Sequence, residues 1–225
     1  MQNGDRMTRD DEAHRAERRG LMLILSSPSG AGKTTLTRML LQKKELDLTL
    51  SISLTTRKRR SSEADGIHYH FIEKPEFERR RDAGDLLEHA EVHGNYYGSP
   101  RGKVEAILAQ GRDVLFDIDY QGARQVREKM PRDVVTIFVL PPSMRELRAR
   151  LERRAEDSSD TIVKRLENAR HEIDRWSDYD YVLINDDIQK TFDDLLAIVR
   201  AERLRRPRVA AGVADFVAGL LREQV

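Results

Sequence analysis

Residues 26 to 35 read Ser26-Ser27-Pro28-Ser29-Gly30-Ala31-Gly32-Lys33-Thr34-Thr35, a glycine-rich turn closed by Gly-Lys-Thr. Where such a turn follows a strand and opens a helix, its chemistry is phosphate binding. Gly30 and Gly32 let backbone N–H groups converge on one anion, and the helix N-terminus adds its dipole. Lys33 can then reach the β- and γ-phosphates of a nucleotide, and the Thr34 hydroxyl can ligate Mg²⁺. The segment Ser27 to Thr35 is therefore the candidate triphosphate site, and alone it leaves GTPases, ATPases and many kinases open. It departs from the usual motif at Ser27, which stands where a first glycine is common. A glycine-rich turn without a ligand would leave Gly-Lys-Thr at a strand-to-helix junction unexplained.

A second chemical signal is the apolar run Val114-Leu115-Phe116 followed by Asp117-Ile118-Asp119. A carboxylate at the C-terminal end of a strand in such a fold holds magnesium or its water. Asp117 takes that role here, through a water, and Asp119 is the better cap for the helix that follows. The basic run Arg57 to Arg60, Tyr96 and Tyr97, and Glu88 also carry chemistry, although each alone reads as ordinary surface or turn. His68 and His70 would share one face of a strand, and an exposed strand pair is the expected reading rather than a metal site.

The elements that must position these groups alternate in β and α. Met22 to Ser26, Val114 to Ile118, Val134 to Leu140 and Tyr181 to Ile184 are short, nearly continuous apolar runs, the pattern of parallel strands covered on both faces. Between them run helical stripes: Leu36, Met39 and Leu40; Leu147 and Leu151; Ile162, Leu166, Ala169, Ile173 and Trp176; and Phe192, Leu195, Leu196 and Val199. The expected fold class is α/β, a three-layer phosphate-loop fold with a parallel sheet. Residues 51 to 100 break the rhythm with short alternating segments and the turns Asp65-Gly66 and Gly94-Asn95, so they form an inserted lobe. Past Pro207, the stripe Val213, Phe216, Val217, Leu220 and Leu221 marks a last amphipathic helix for the core or a partner.

Composition sets limits. Among 225 residues, 40 Lys and Arg against 39 Asp and Glu leave a formal charge of +1, so no one-sign field for gripping nucleic acid is expected. There is no cysteine, which excludes disulfides and thiol catalysis. No run approaches the roughly 18 apolar residues of a membrane helix. The charged first 19 residues do not read as a secretory signal. A soluble, cytoplasmic protein without a membrane partner is expected; a homo-oligomer is compatible with the sequence.

Taken in order, Ser53-Leu54-Thr55-Thr56-Arg57-Lys58-Arg59-Arg60, Glu63-x-x-Gly66-x-x-Tyr69, Glu88 and Gly94-Asn95-Tyr96-Tyr97-Gly98-Ser99 resemble the guanylate kinase family. So do Asp117-Ile118-Asp119-x-Gln121-Gly122, Pro141-Pro142-Ser143 and Asn185-Asp186-Asp187, and the likeness runs from about Gly20 to about Ala201. It implies an ATP:GMP phosphotransferase that needs Mg²⁺ and acts on GMP and dGMP, and so makes Ser27 to Thr35 an ATP site. Arg57, Arg60, Tyr69 and Tyr97 match the positions that grip the acceptor phosphate. Glu88, Ser53 and Ser99 match those that read guanine, Asp117 lies on the acceptor side, and Asn185 lies on the adenine side. Arg150, Arg154 and Arg165 match lid arginines that, with Lys33 and Arg57, meet the moving phosphoryl group. Where the family often has a glycine-containing lid turn, this chain has Arg153-Arg154-Ala155-Glu156-Asp157.

The implied organisation is a flexible extension over 1–19, a core over 20–52, 103–143 and 171–205, a GMP-binding lobe over 53–102, a lid over 144–170 and a C-terminal helix over 206–225. Two other readings compete. One is a phosphotransferase for a phosphorylated sugar on the same scaffold, separable by acceptor assays. The other is a non-catalytic module that binds phosphopeptides, which is expected to lack the intact Gly32-Lys33-Thr34.

Overall fold

The computed structural model describes residues 18–92, 94–153 and 159–223. The expected extension thus lies outside the described residues except for Arg18 and Arg19. In chain order the elements are β1 (Met22–Ser26), α1 (Lys33–Gln42), β2 (Leu48–Leu50), β3 (Leu54–Thr55), β4 (His70–Phe71), α2 (Lys74–Asp82), β5 (Leu86–Val92), β6 (Asn95–Pro100), α3 (Arg101–Ala109), β7 (Asp113–Phe116), α4 (Tyr120–Lys129), β8 (Val134–Leu140), α5 (Met144–Arg153), α6 (Ser159–Ile173), β9 (Tyr181–Ile184), α7 (Ile188–Arg203) and α8 (Arg206–Leu220).

Five strands form a parallel sheet in the order β2-β7-β1-β8-β9. Because side chains alternate along a strand, the central apolar run serves two cores. Leu23 and Leu25 of β1, with Leu21 before it, pack on Leu36 and Leu40 of α1 and on Phe192, Leu195 and Val199 of α7. Met22 and Ile24 pack on Val104 and Leu108 of α3 and on Ala123 and Val126 of α4. The α/β expectation is met: helices cover both faces of a parallel sheet.

The inserted segment builds its own sheet in the order β4-β3-β6-β5, antiparallel except for the β3–β4 pair. Its small core is Leu54, Phe77 and Leu86, with Tyr96 stacked on Phe77 at 5.4 Å between ring centroids.

Three local expectations change. β7 stops at Phe116 rather than Ile118: its pairing with β1 ends at the Ile24–Phe116 pair, and three residues on Asp119 already caps the next helix. α6 stops at Ile173, and Trp176 lies 53% exposed in a 3₁₀ turn that redirects the chain into β9. Of the alternating segment His68 to Ile72, only His70 and Phe71 form a strand, β4, while Tyr69 makes an isolated bridge to Asp65. His68 instead accepts at Nδ1 from the Ala64 N–H at 3.0 Å, while His70 Nε2 lies 2.9 Å from Lys103 Nζ. On α8, Phe216, Leu220 and Leu221 are exposed, and Arg208 and Gly212 are the residues turned inward.

One buried carboxylate ties the edges of the core together. Asp113, fully buried at the start of β7, accepts from the Leu21 N–H at 3.0 Å, from Arg18 at 2.7 Å and from Arg203 at 2.7 Å. Arg19 pairs with Asp133 at 2.8 Å. Asp113 thus joins the chain before β1, the start of β7 and the end of α7. Replacing Asp113 with Ala leaves two guanidinium groups facing a dry gap. The expected loss is about 3 to 5 kcal/mol of unfolding free energy, read from urea denaturation.

Candidate active site

The phosphate loop forms because β1 ends at Ser26 and the chain then needs left-handed backbone. Gly30 has φ +94° and Gly32, the N-cap of α1, has φ +110°, values that side chains tolerate poorly. A Cβ on Gly32 would stand 2.2 Å from Asn185 Nδ2. That amide donates to the Ala31 carbonyl at 2.7 Å, and its Oδ1 lies 3.3 Å from Thr191 Oγ1. Asn185, expected beside adenine, is therefore buried and occupied in bracing the loop. Ala31 is buried beneath it, and Thr35 is half-buried on α1.

Beside the loop opens a cleft of about 360 Å³. Ser27, Pro28, Ser29, Gly30, Gly32, Lys33 and Thr34 line one wall; Asp117, Ile118, Asp119 and Tyr120 line a second, and Glu172 and Tyr179 a third. Lys33 is ion-paired with Asp117, whose side chain is half exposed. Asp119 caps α4, accepting at 3.0 Å from the N–H groups of both Gln121 and Gly122, as its sequence position suggested. No group of three or more His, Asp or Glu that could cage a metal occurs among the described residues. One hydroxyl and one carboxylate beside a phosphate loop suit Mg²⁺, which keeps several waters and takes its other oxygens from phosphates.

Glu172, Tyr120 and Tyr179 carried no motif and were missed from sequence. Glu172, near the end of α6, has its carboxyl pushed up first by burial, with Lys33 pulling it back down and Asp119 adding to the rise.

The lobe holds the second cluster. Arg57 NH2 donates to Glu63 Oε1 at 2.6 Å and NH1 to Oε2 at 3.1 Å, a bidentate fork. The hydrogen bonds from Arg57 and from the Arg60 N–H hold the Glu63 carboxyl down at about 2. Glu63 in turn raises the Arg57 pKa, and Tyr97 adds to this. The guanidinium carbon lies 5.6 Å from the Tyr69 ring centroid, and Tyr69 meets Tyr97 edge-on at 5.9 Å. Arg57, Tyr69 and Tyr97 are thus brought together, and the Arg60 side chain stands exposed beside them. Sequence reasoning quoted Glu63 within a motif without giving it a role. Its spacing six residues after Arg57 was the available signal.

Glu88 is only 5% exposed. Its Oε1 accepts from Ser99 Oγ at 2.6 Å, and Ser53 Oγ lies 3.5 Å from Ser99 Oγ. Burial pushes this carboxyl up; the Ser99 bond opposes the rise, Asp119 adds to it and Lys129 opposes it. The two clusters sense each other, since the Asp117 charge contributes to the raised Tyr69 pKa after burial and nearer groups.

The lid arginines are more scattered. Arg150 on α5 donates to Glu146 at 2.9 Å and to the Asn185 carbonyl at 3.1 Å. Arg165 lies half-buried on α6, and Arg154 falls outside the described residues. Neither Arg150 nor Arg165 lines the cleft.

A glycine-rich loop ending in Gly-Lys-Thr between the first strand and first helix of a parallel sheet, with a lobe of its own sheet inserted in the chain, is the arrangement of phosphate-loop phosphotransferases. The guanylate kinase family model matches residues 19–202, and the chain belongs to that family. It is 61% identical over 207 residues to a guanylate kinase of Chelativorans sp., covering 92% of this chain and 94% of that one. It is 61% identical over 207 residues to one of Agrobacterium fabrum, covering 92% and 93%. Among solved structures, guanylate kinase from Anaplasma phagocytophilum matches with TM-score 0.66 and 39% identity, covering 86% of this chain and 92% of that one. No helix among the described residues is long and apolar enough to cross a membrane.

Gly32 gives a direct test of the loop. Gly32→Ala sets a methyl group against the Asn185 amide in a backbone region that disfavours it. ADP affinity is expected to fall by about 100-fold or more, the effect of breaking two or more charge-assisted hydrogen bonds. Isothermal titration beside a circular-dichroism check of the fold would show it.

Proposed function

We propose that this member of the guanylate kinase family transfers the γ-phosphoryl group of ATP reversibly to GMP or dGMP, giving ADP and the nucleoside diphosphate, with residues of the phosphate loop, the inserted lobe and the two helices that carry the lid arginines. The substrates are small nucleotides rather than nucleic acid, and the setting is cytoplasmic purine metabolism. The observation that carries the reading is the buried Glu88–Ser99 pair beside the Arg57–Tyr69–Tyr97 cluster. Guanine presents N1–H and N2–H₂ donors beside an O6 acceptor. An ionised Glu88 accepts from the donors, and the Ser53 and Ser99 hydroxyls complete the pattern. Arg57, Arg60, Tyr69 and Tyr97 grip the monophosphate.

In the reaction an oxygen of the GMP phosphate attacks the γ-phosphorus in line as the bond to the β–γ bridging oxygen breaks, and ADP leaves. The acceptor is already anionic, so no general base is assigned. Backbone N–H groups of Ser29, Gly30, Gly32, Lys33 and Thr34 hold the triphosphate, and Lys33 exchanges Asp117 for the β- and γ-oxygens. Thr34, and Asp117 through a water, would hold Mg²⁺, which would supply charge neutralisation on those oxygens. Arg150, Arg154 and Arg165 are assigned to the equatorial oxygens of the moving group, where arginines stabilise developing charge. To serve there, Arg150 must release Glu146. Asn185 is assigned to bracing the loop.

A coupled ADP-release assay with ATP, Mg²⁺ and GMP, dGMP, AMP or a sugar phosphate tests the proposal. GMP is expected to exceed AMP in kcat/KM by about 10⁴, because a site built on hydrogen bonds rejects an analogue that leaves them unpaired. Lys33→Ala should lower kcat by about 10³ or more, as for other charges that meet the transition state. Equal turnover of AMP, or undiminished turnover by the Lys33 variant, would overturn it.

Acidification should act through Glu88. Its raised pKa means that it takes up a proton at higher pH than a free glutamate, and the neutral carboxyl accepts poorly. The KM for GMP is therefore expected to climb as pH falls, starting above the ordinary carboxylate range, while the KM for ATP changes less. Initial rates from neutral to mildly acid pH check this.

A further inference from the structure

β5 is an edge strand of the lobe's sheet, yet it does not belong to the lobe alone. Its register with β6 shifts between Leu86, paired with Pro100, and Glu88, paired with Ser99. The extra residue, Leu87, is fully buried in the main core with Val104, Phe116 and Val126, whereas Leu86 packs in the lobe's own core. A bulge of this kind re-aims a side chain, and here it sets Glu88 directly opposite Ser99.

Two side chains of α4, one turn apart, grip the backbone on either side of that bulge. Gln125 Oε1 accepts from the His89 N–H at 3.1 Å, and its Nε2 donates to the His89 carbonyl at 2.9 Å. Lys129 Nζ donates to the Leu86 carbonyl at 2.9 Å. The exposed edge of β5 is thereby paired by side chains, with Gln125 standing in for a neighbouring strand. One turn earlier, a Cβ on Gly122 would lie 3.2 Å from Glu88 Oε2, so the same face of α4 passes close by the carboxylate.

We propose that Gln125 and Lys129 are positioning residues for guanine recognition, holding the β5 bulge so that Glu88 meets the base. This rests on the reading of Glu88 as the guanine acceptor. Neither side chain touches the nucleotide; both act through the strand. The bond from the His89 N–H holds the Glu88–His89 peptide, the bond to the His89 carbonyl holds the next one, and the bond from Lys129 holds the Leu86–Leu87 peptide on the other side of the bulge. Losing the pair at Gln125 frees the two peptides that follow Glu88 to rotate, and Glu88 loses register with guanine N1–H and N2–H₂. The acceptor phosphate site, on β3, β6 and the turn between them and β4, keeps its partners.

The test compares Gln125→Ala, Gln125→Glu and Glu88→Gln with the parent in acceptor kinetics using GMP and IMP, which lacks the 2-amino group. Gln125→Ala is expected to raise the KM for GMP by about tenfold, the scale of one or two neutral hydrogen bonds. The ratio of kcat/KM for GMP over IMP should fall in proportion, while the KM for ATP and the kcat stay within about twofold. Gln125→Glu keeps the bond from the His89 N–H but sets a carboxylate against the His89 carbonyl, and should disturb the ratio too. A Gln125→Ala enzyme whose GMP-to-IMP ratio is unchanged overturns the inference. So does one whose KM for ATP rises as much as that for GMP, since that is general loosening. If Glu88→Gln collapses the ratio and Gln125→Ala does not, the positioning role alone fails. If Glu88→Gln also leaves the ratio intact, the guanine reading of Glu88 fails and the positioning role falls with it.

Discussion

The close approach of Gly32 to Asn185 is the constraint from which the rest of the site follows. Of the N–H groups of residues 27–34, only that of Ala31 closes on a loop carbonyl, that of Pro28 at 3.1 Å, so much of the loop's shape is held from outside. The Asn185 amide does this through the Ala31 carbonyl, and the absent side chain at Gly32 makes room for it. Asn185 can reach the loop only because β9 lies two strands from β1, with the turn after β9 opening at the same end of the sheet. Thr191 on α7 then orients the amide, and the Asn185 N–H is tied to the Leu140 carbonyl at 2.8 Å. Sheet order thus adds an outside brace to the local bonds that the Ser27 hydroxyl and the Ala31 N–H make to the Pro28 carbonyl.

Charge is handled by a common device. Three cations assigned to the reaction each have a carboxylate partner in this structure: Lys33 with Asp117, Arg57 with Glu63, and Arg150 with Glu146. Cations gathered without partners would repel one another and destabilise the fold around them. The pairs differ in kind. Glu63 holds its arginine bidentately from a turn that it also closes through the Arg60 N–H, so it orients the fork. Asp117 and Glu146 bind cations that must change partner, and Asp117 is half exposed. Exchanging one anion for another keeps the local charge near balance and makes the exchange inexpensive.

Much of this was readable in the chain before any coordinates. The strands β1, β8 and β9 matched their apolar runs residue for residue, because a strand covered on both faces needs continuous hydrophobicity and little else has that signature. The loop was readable because its chemistry is contained in ten successive residues. What escaped depends on distance in sequence. Asn185 is expected on the adenine side from its motif, and its bracing of the loop has no local mark because its partner lies 154 positions away. Gln125 and Lys129 resembled any polar helix face, and the register shift in β5 has no local mark. Trp176 extended the stripe of α6 by periodicity alone, which cannot sense that the chain must turn for β9. On α8 the same logic found a stripe that does not face the core.

The bulge in β5 also determines how the lobe relates to the core. Leu86 and Leu87 are neighbours in the chain but belong to different hydrophobic clusters, so the strand has a foot in each body. Glu88 follows this segment, and the next residue is tied to α4 through Gln125, whereas Arg57 is held by Glu63 within the lobe itself. The role proposed for Glu88, reading a base through hydrogen bonds, demands a fixed position, and packing shared with the core supplies one. The role proposed for Arg57, gripping a phosphate, demands less, since guanidinium forks carry their own geometry and the attraction between charges acts over a longer range.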